Sequence, residues 1–269
     1  MKLRHIIRDL GMLIAPPIMS QVVAARSQRL IISIEAREGL TEASHRFVEK
    51  FGRSVLHGPF TGLTYPDMTV SQRNLIHKLL GSYEDELHPW IEKLKAKNYR
   101  AVINVGSADG YYTVGLALTK PNTPVIAFDT DPWARRATQA LTRENNARNV
   151  DIRTMCTPQW LAENLEARSL LLSDCEGYEG VLLDPKTAPA LLKCDIVVEL
   201  HDHAAPGVED LMRRRFADTH DIESVEMELG KSPVRFSELA DMEPALAQKA
   251  LSEGRGAPQS WLMMTAREA

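Results

Sequence analysis

The chain has 269 residues, 44% of them hydrophobic, and a formal net charge of −4. That is the size of one large α/β domain with an appendage, with enough apolar residues for an ordinary core. The charge balance excludes a globally basic nucleic-acid binder, and no run reaches the ~20 apolar residues needed to span a bilayer.

Residues 1–53 carry nine Lys/Arg against five Asp/Glu, an excess of four positive charges. A solvated helical face is the plain reading; peripheral contact with an anionic glycan or a membrane surface is the sharper one. Leu3, Ile6, Ile7, Leu10 and Leu13 recur at helical spacing, and Pro16-Pro17 is expected to break that helix. Residues 10–25 resemble a signal peptide behind Lys2, Arg4 and Arg8. Asp9 and the two prolines interrupt that pattern, so export is not expected. Helices are expected over 30–38, 42–51, 74–80 and 85–97, with a turn-rich loop at 58–66. Residues 1–98 therefore read as a helical cap that selects the substrate. The three cysteines, Cys156, Cys175 and Cys194, lie far apart without a C-x-x-C pair. That argues against a zinc site and a disulfide framework, and fits a reducing cytoplasm.

From residue 99 the pattern becomes strand-helix alternation. Strands are expected over 101–105, 124–128, 150–155, 169–173, 194–199, 221–228 and 260–266. Helix-length segments between the first five imply parallel pairing through crossovers. A late seventh strand suggests a Rossmann-like, seven-stranded, mostly parallel α/β sheet with an antiparallel last strand, as in S-adenosylmethionine-dependent methyltransferases. Residues 99–269 read as that cofactor-binding domain.

Val102 to Val105 should form a buried strand that runs into Gly106-Ser107-Ala108-Asp109-Gly110. A helix over 111–118 follows, then a strand ending on Asp129. Glycines let the backbone turn sharply and approach a ligand, and the helix start adds free N–H groups. Asp129, 19 positions after Gly110, sits where a carboxylate can grip ribose hydroxyls. Gly106, Gly110 and Gly115 are spaced more widely than G-x-G-x-x-G, which suits a nucleoside with an amino-acid tail rather than a pyrophosphate. Gly106, Ser107, Asp109, Gly110, Asp129 and its neighbour Thr130 are the expected cofactor contacts. Asp131, before Pro132, is expected to cap the next helix. After the third strand, Thr154-Met155-Cys156 lies where a side chain can flank an adenine ring, and Cys156 is assigned there.

Leu172-Ser173 then runs into Asp174-Cys175-Glu176-Gly177-Tyr178-Glu179. Carboxylates crowded at a strand's end need partners. Asp174 is a candidate general base and Glu176 a candidate holder of the acceptor hydroxyl or of the cofactor's ammonium group. A helix cap is the plain alternative. Glu199-Leu200-His201-Asp202-His203 follows the fifth strand. His201 is a second candidate base. Asp174, His201 and Asp202 together are a lesser candidate set for a divalent cation. Upstream, Tyr83 and Glu84 either cap a helix or fold over the cofactor.

The stretch Val102 to Ala117, the D-C-E-G-Y-E run at 174–179 and the V-E-L-H-D run at 198–202 resemble FkbM-type methyltransferases. Asp174, Glu176, Gly177 and Glu179 match that family's D-x-E-G-x-E segment. Glu199 matches its fifth-strand acid, and Tyr83-Glu84 matches a Tyr-Glu pair before its first strand. The resemblance covers roughly residues 80–205. It implies a class I fold, S-adenosylmethionine as cofactor, and O-methylation of a sugar, glycan or small natural product. The family's first strand usually carries an acid where this chain has Asn104, so Asp174 or Glu84 is expected to help hold the ammonium group. Two other readings share parts of this pattern: a nicotinamide-dependent oxidoreductase, and a catalytically inactive scaffold of the same fold. The first lacks the expected glycine spacing and a second nucleotide-binding half.

Overall fold

The computed structural model describes residues 16–67, 74–202, 204–255 and 259–267. Its seven strands are β1 (Val102–Val105), β2 (Val125–Phe128), β3 (Val150–Arg153), β4 (Leu170–Ser173), β5 (Asp195–Leu200), β6 (His220–Glu226) and β7 (Ser260–Ala266). They form one sheet in the order β3-β2-β1-β4-β5-β7-β6. Pairings among β1 to β5 are parallel, and β7 lies antiparallel between β5 and β6. This is the Rossmann-like, seven-stranded, mostly parallel sheet with an antiparallel last strand that the strand rhythm predicts.

The sequence explains the strand positions. β1, β4 and β5 are buried along their whole length, as central strands covered on both faces must be. β3 and β6, at the two edges, alternate between more and less exposed residues. Strand order runs outward in opposite senses from β1 and β4. A crevice therefore opens between their carboxyl ends, where such sheets take their ligands.

Helices cover both faces. Around the first half of the chain lie α1 (Pro16–Arg37), α2 (Leu40–Phe51), α3 (Ile76–Leu80) and α4 (His88–Ala96). Along the sheet follow α5 (Tyr111–Thr119), α6 (Pro132–Glu144), α7 (Pro158–Asn164), α8 (Glu179–Leu182), α9 (Val208–Phe216) and α10 (Pro244–Ala250). Phe47, Leu79, Leu80, Ile91 and Leu94 share a core with Val102, Leu170, Leu172 and Val197 on one face of the sheet. Ile103, Leu171, Ile196 and Val198 turn to the other face, toward Leu182, Met212 and Phe216. The period-two alternation of the strands thus serves two cores.

Some boundaries differ from expectation. The helix expected over 30–38 is the end of the 22-residue α1, which begins at Pro16. A proline at a helix start lacks an N–H that would go unused there, so the pair initiates this helix. The helical pattern of residues 3–13 lies outside the described residues. The helix expected over 85–97 is a 3-10 turn, Asp85–Leu87, followed by α4. No helix among the described residues is long and apolar enough to cross a membrane. All three cysteines are free thiols.

Candidate active site

The glycine turn leaves β1 at the crevice. Gly106 has φ +80°, and a Cβ there would overlap the Asp174 carbonyl. Only glycine lets the exits of β1 and β4 lie this close. The N–H groups of Gly106 and Ser107 donate to the Phe128 carbonyl at 2.9 and 3.1 Å, tying the turn to β2. The Ser107 hydroxyl lies 3.3 Å from Thr138 Oγ1 and is buried against α6. Gly110 opens α5. Gly115 serves packing: a Cβ there would come within 2.5 Å of the Phe60 ring.

Asp129 follows β2. Its Oδ2 accepts the Ala108 N–H at 2.9 Å and its Oδ1 accepts the Asp131 N–H at 2.8 Å. The carboxylate is therefore held in one orientation at the mouth of the turn. Burial pushes its pKa up, against the pull of those two N–H groups. Asp131 accepts the Trp133 N–H at 2.8 Å, so it caps α6 as expected. Cys156 is buried, and burial pushes its thiol up to about 12. It is therefore a neutral thiol and brings no charge to the cleft.

Asp109 turns toward the N-terminal helices. Its Oδ2 accepts Lys78 Nζ at 2.7 Å and the Tyr65 hydroxyl at 3.3 Å. Burial would raise its pKa, but Lys78 outweighs burial and holds the carboxyl below its usual range. The expected cofactor contact is thus also a clamp between cap and turn. Asn104 is buried in β1, and its Oδ1 accepts the Thr113 hydroxyl at 2.8 Å. It lines a small cavity beside the turn together with Glu84, Ser107 and Asp174.

Glu84 reaches that cavity from the cap. Its backbone is left-handed, at φ +45°, and its side chain is closed to solvent. The Tyr112 hydroxyl donates to Glu84 Oε2 at 2.6 Å, and Arg255 pairs with both Glu84 and Glu199. Burial pushes Glu84 up to about 7, against Arg255. Burial and then the Asp174 charge push Glu199 up to about 9. Behind this bridge Lys231, 2% exposed, reaches Asp85 at 2.7 Å, Glu86 at 3.0 Å and Glu253 at 2.8 Å. Sequence reasoning missed Arg255, Lys231, Lys78 and Tyr112. Only the tyrosine lies in a segment singled out by its residues.

Beyond β4 and β5 four acids surround one imidazole. His201 Nδ1 lies 2.6 Å from Oε1 of the buried Glu179. Its Nε2 lies 3.5 Å from Asp174 Oδ1, 3.5 Å from Glu176 Oε2 and 4.0 Å from Glu199 Oε2. Burial would lower the imidazole pKa. The Glu179 hydrogen bond and the charges of Glu179, Asp174 and Glu176 outweigh burial and hold it above its ordinary value. Burial raises Asp174, against Glu199, His201 and Arg255. Glu176 is open, with a side chain 81% exposed. Asp202 does not join this group. Its carboxylate accepts the Gly207 N–H at 2.8 Å and the Glu209 N–H at 3.3 Å, at the start of α9. A helix start holds that carboxylate; of the lesser cation candidates Asp174, His201 and Asp202, the first two lie with Glu176, their donor atoms within 4.8 Å of one another. His203 lies outside the described residues.

These pieces meet at one cleft of about 1210 Å³. Gly106, Asp109, Asp129, Thr130, Cys156, Asp174 and Glu176 line it, with His77, Lys78 and Tyr83 from the cap opposite. Glu84, Asn104 and Ser107 line the adjoining small cavity, and His201 stands behind Asp174.

No protein-family model and no curated protein matches this chain. Among solved structures it is similar to precorrin-6y C5,15-methyltransferase from Geobacter metallireducens GS-15, at 13% identity and a TM-score of 0.45 over 67% of this chain and 88% of that one. It is similar to an rRNA methylase from Streptococcus thermophilus, at 11% identity and a TM-score of 0.43 over 67% and 96% of the two chains. It is also similar to the O-methyltransferase TomG from Streptomyces achromogenes, solved with S-adenosylmethionine, at 12% identity and a TM-score of 0.41 over 88% and 98%. At these identities the likeness is one of fold.

Proposed function

We propose that this chain is an S-adenosylmethionine-dependent methyltransferase of the FkbM type that methylates a hydroxyl group on a sugar, glycan or small natural product. The observation that carries the reading is Asp129, fixed by the Ala108 and Asp131 N–H groups at the mouth of a turn that only glycine at 106 permits. A ribose fits that carboxylate, and the turn brings bare backbone to the ligand. Thr130 and Cys156 would border the adenine. Glu84, Asn104 and Asp174 would face the amino-acid tail from the small cavity. Asn104 supplies a neutral oxygen where an acid is usual in the family, and the two neighbouring carboxyls supply the charge.

The bound cofactor supplies an electrophilic sulfonium methyl group. The protein's share is alignment and proton removal. Asp174 stands between the glycine turn and His201 and would receive the acceptor's proton as the oxygen gains the methyl group. Glu179 holds Nδ1 of His201, which directs Nε2 toward Asp174 and Glu176. Glu176, exposed at the rim, would receive a second polar group of the acceptor.

Calorimetric titration with S-adenosylhomocysteine, with NAD in parallel, tests the reading. Micromolar S-adenosylhomocysteine binding without NAD binding is the expected result. NAD binding alone would replace it with the oxidoreductase reading. Binding of neither would favour an inactive scaffold.

A further inference from the structure

We infer that the small cavity beside the glycine turn is a carboxylate pocket, in which Lys78, Tyr111 and Trp261 hold the carboxylate of the cofactor's amino-acid tail. The cavity measures about 30 Å³. Lys78, Gly106, Asp109 and Asp174 line both it and the large cleft, so the two spaces adjoin. A single water needs roughly 10–15 Å³ of such space. The cavity therefore takes an end group of a few heavy atoms, with the rest of the ligand lying in the cleft.

Two donors on its wall have nothing to donate to. The Tyr111 hydroxyl and the Trp261 Nε1–H are shut off from solvent, and neither has a hydrogen-bond partner among the described residues. The two residues are 2% and 3% exposed. They come from different elements, Tyr111 from the first turn of α5 and Trp261 from β7. Burial and the Glu84 charge push the tyrosine's pKa up, so its hydroxyl keeps the proton it donates. An indole N–H can only donate. Buried polar groups are almost always paired, so two orphan donors on one small wall point to a ligand group rich in acceptors.

The charge on the wall decides for an anion. Lys78 is the one lysine or arginine that lines the cavity. Its Nζ lies 2.7 Å from Asp109 Oδ2, its one hydrogen-bond acceptor among the described residues. An ammonium group has three N–H donors, so Lys78 can hold Asp109 and a second carboxylate together. Nζ also stands 4.4 Å from the centroid of the Tyr83 ring and 5.9 Å from that of Tyr111, which keeps the lysine against the same aromatic wall. Glu84 and Asp174, also lining the cavity, offer carboxyls to the tail's ammonium group. A wall of both signs suits the zwitterionic end of an amino acid. The occupant rests on the methyltransferase reading.

The test compares three ligands by calorimetry on the full chain: S-adenosylhomocysteine, its decarboxylated analogue, and methylthioadenosine, which has no amino-acid tail. Wild type should prefer S-adenosylhomocysteine to the decarboxylated analogue at least tenfold. Tyr111→Phe removes only the orphan hydroxyl, so the urea midpoint should stay or rise. The same change should weaken S-adenosylhomocysteine about tenfold and leave the decarboxylated analogue unchanged. Trp261→Phe should narrow the preference in the same way, and Lys78→Met should abolish it. A lysine that only braces Asp109 would weaken both ligands alike. Equal loss for the two ligands, or undiminished preference in Tyr111→Phe, would overturn the pocket. S-adenosylhomocysteine binding with no preference over the decarboxylated analogue removes the carboxylate pocket alone. Binding of neither S-adenosylhomocysteine nor methylthioadenosine removes the methyltransferase reading, and the pocket with it.

Discussion

His201 Nδ1 lies 2.6 Å from Glu179 Oε1, and both side chains are closed to solvent. The pair joins the segment after β4 to the end of β5. Removing one partner leaves the other buried without it, at a cost of about 3–5 kcal/mol. Glu179→Ala should therefore lower stability to urea by that order. The double variant with His201→Ala should lose clearly less than the sum of the two single losses. Additive losses in the cycle would mean that the two groups do not interact.

Asp129 carries the cofactor assignment. Hydrogen bonds to a charged group contribute about 1.5–3 kcal/mol. Asp129→Ala should therefore weaken S-adenosylhomocysteine binding by about tenfold to a hundredfold in calorimetry. The change should also free the Ala108 and Asp131 N–H groups, which now donate to this carboxylate. A variant that binds as tightly as wild type would remove Asp129 from the ribose.

Gly106→Ala tests the turn. The added Cβ overlaps the Asp174 carbonyl, and the left-handed backbone disfavours any side chain. A loss of roughly 2 kcal/mol or more is expected in denaturant unfolding, since backbone as well as side chain must shift. Cofactor affinity should fall with it. Gly230 is the control: its φ is also positive, but a Cβ there meets nothing within 4 Å. Gly230→Ala should cost only the local backbone term, about 1–2 kcal/mol.

Much of this site was legible because its rules are local. A buried strand, a glycine turn, a helix start and an acid closing the next strand all lie within 102–129. The Asp131 cap and the antiparallel last strand follow from spacing and order. Glu199 and His201, two positions apart where β5 ends, come within 4.0 Å of each other. What stayed hidden is long-range. Arg255 meets Glu84 across 171 positions, and Lys231 meets Ser82 across 149. Both cations sit in irregular segments, where no periodicity marks them. Lys78 reads as one more residue on a short helix until the fold brings Asp109 to it. Asp202 was hidden for the opposite reason: its partners are the nearby N–H groups of Gly207 and Glu209 at the start of the next helix, a capping role that its place in the acidic run masks.

Lys231 lies on the C-terminal side of the cap. Its ammonium group pairs with Asp85, Glu86 and Glu253 and donates to the Ser82 carbonyl at 2.7 Å. Lys231→Met keeps much of the side-chain volume but removes the cation that three acids share, leaving Asp85 with Arg235 at 2.7 Å and Glu253 with Arg255 at 3.7 Å. A loss of about 3–5 kcal/mol is expected, read as a lower urea midpoint. The loss should shrink when Glu253→Gln is added, because one of the three acids is then neutral. An unchanged midpoint in Lys231→Met would show that this cluster does not hold the cap to the sheet.

Glu84 gives the chain a pH dependence of defined sign. Burial lifts its carboxyl from an ordinary 4.5 to about 7 in the folded protein. Between those two values the folded chain keeps a proton that the unfolded chain has released. Stability contributed by a raised pKa is fully present below 4.5 and is lost as pH rises through 7. At about 1.4 kcal/mol per pH unit the full change is roughly 3 kcal/mol. Other groups titrate in the same range, so the measurable quantity is a difference: the unfolding free energy of wild type minus that of Glu84→Gln. It should fall as pH is raised from 4.5 to 7.5, by an amount of that order. The glutamine keeps the shape and a hydrogen-bond partner for the Tyr112 hydroxyl but cannot ionise. A difference that stays flat or rises with pH would mean that Arg255 holds Glu84 ionised throughout.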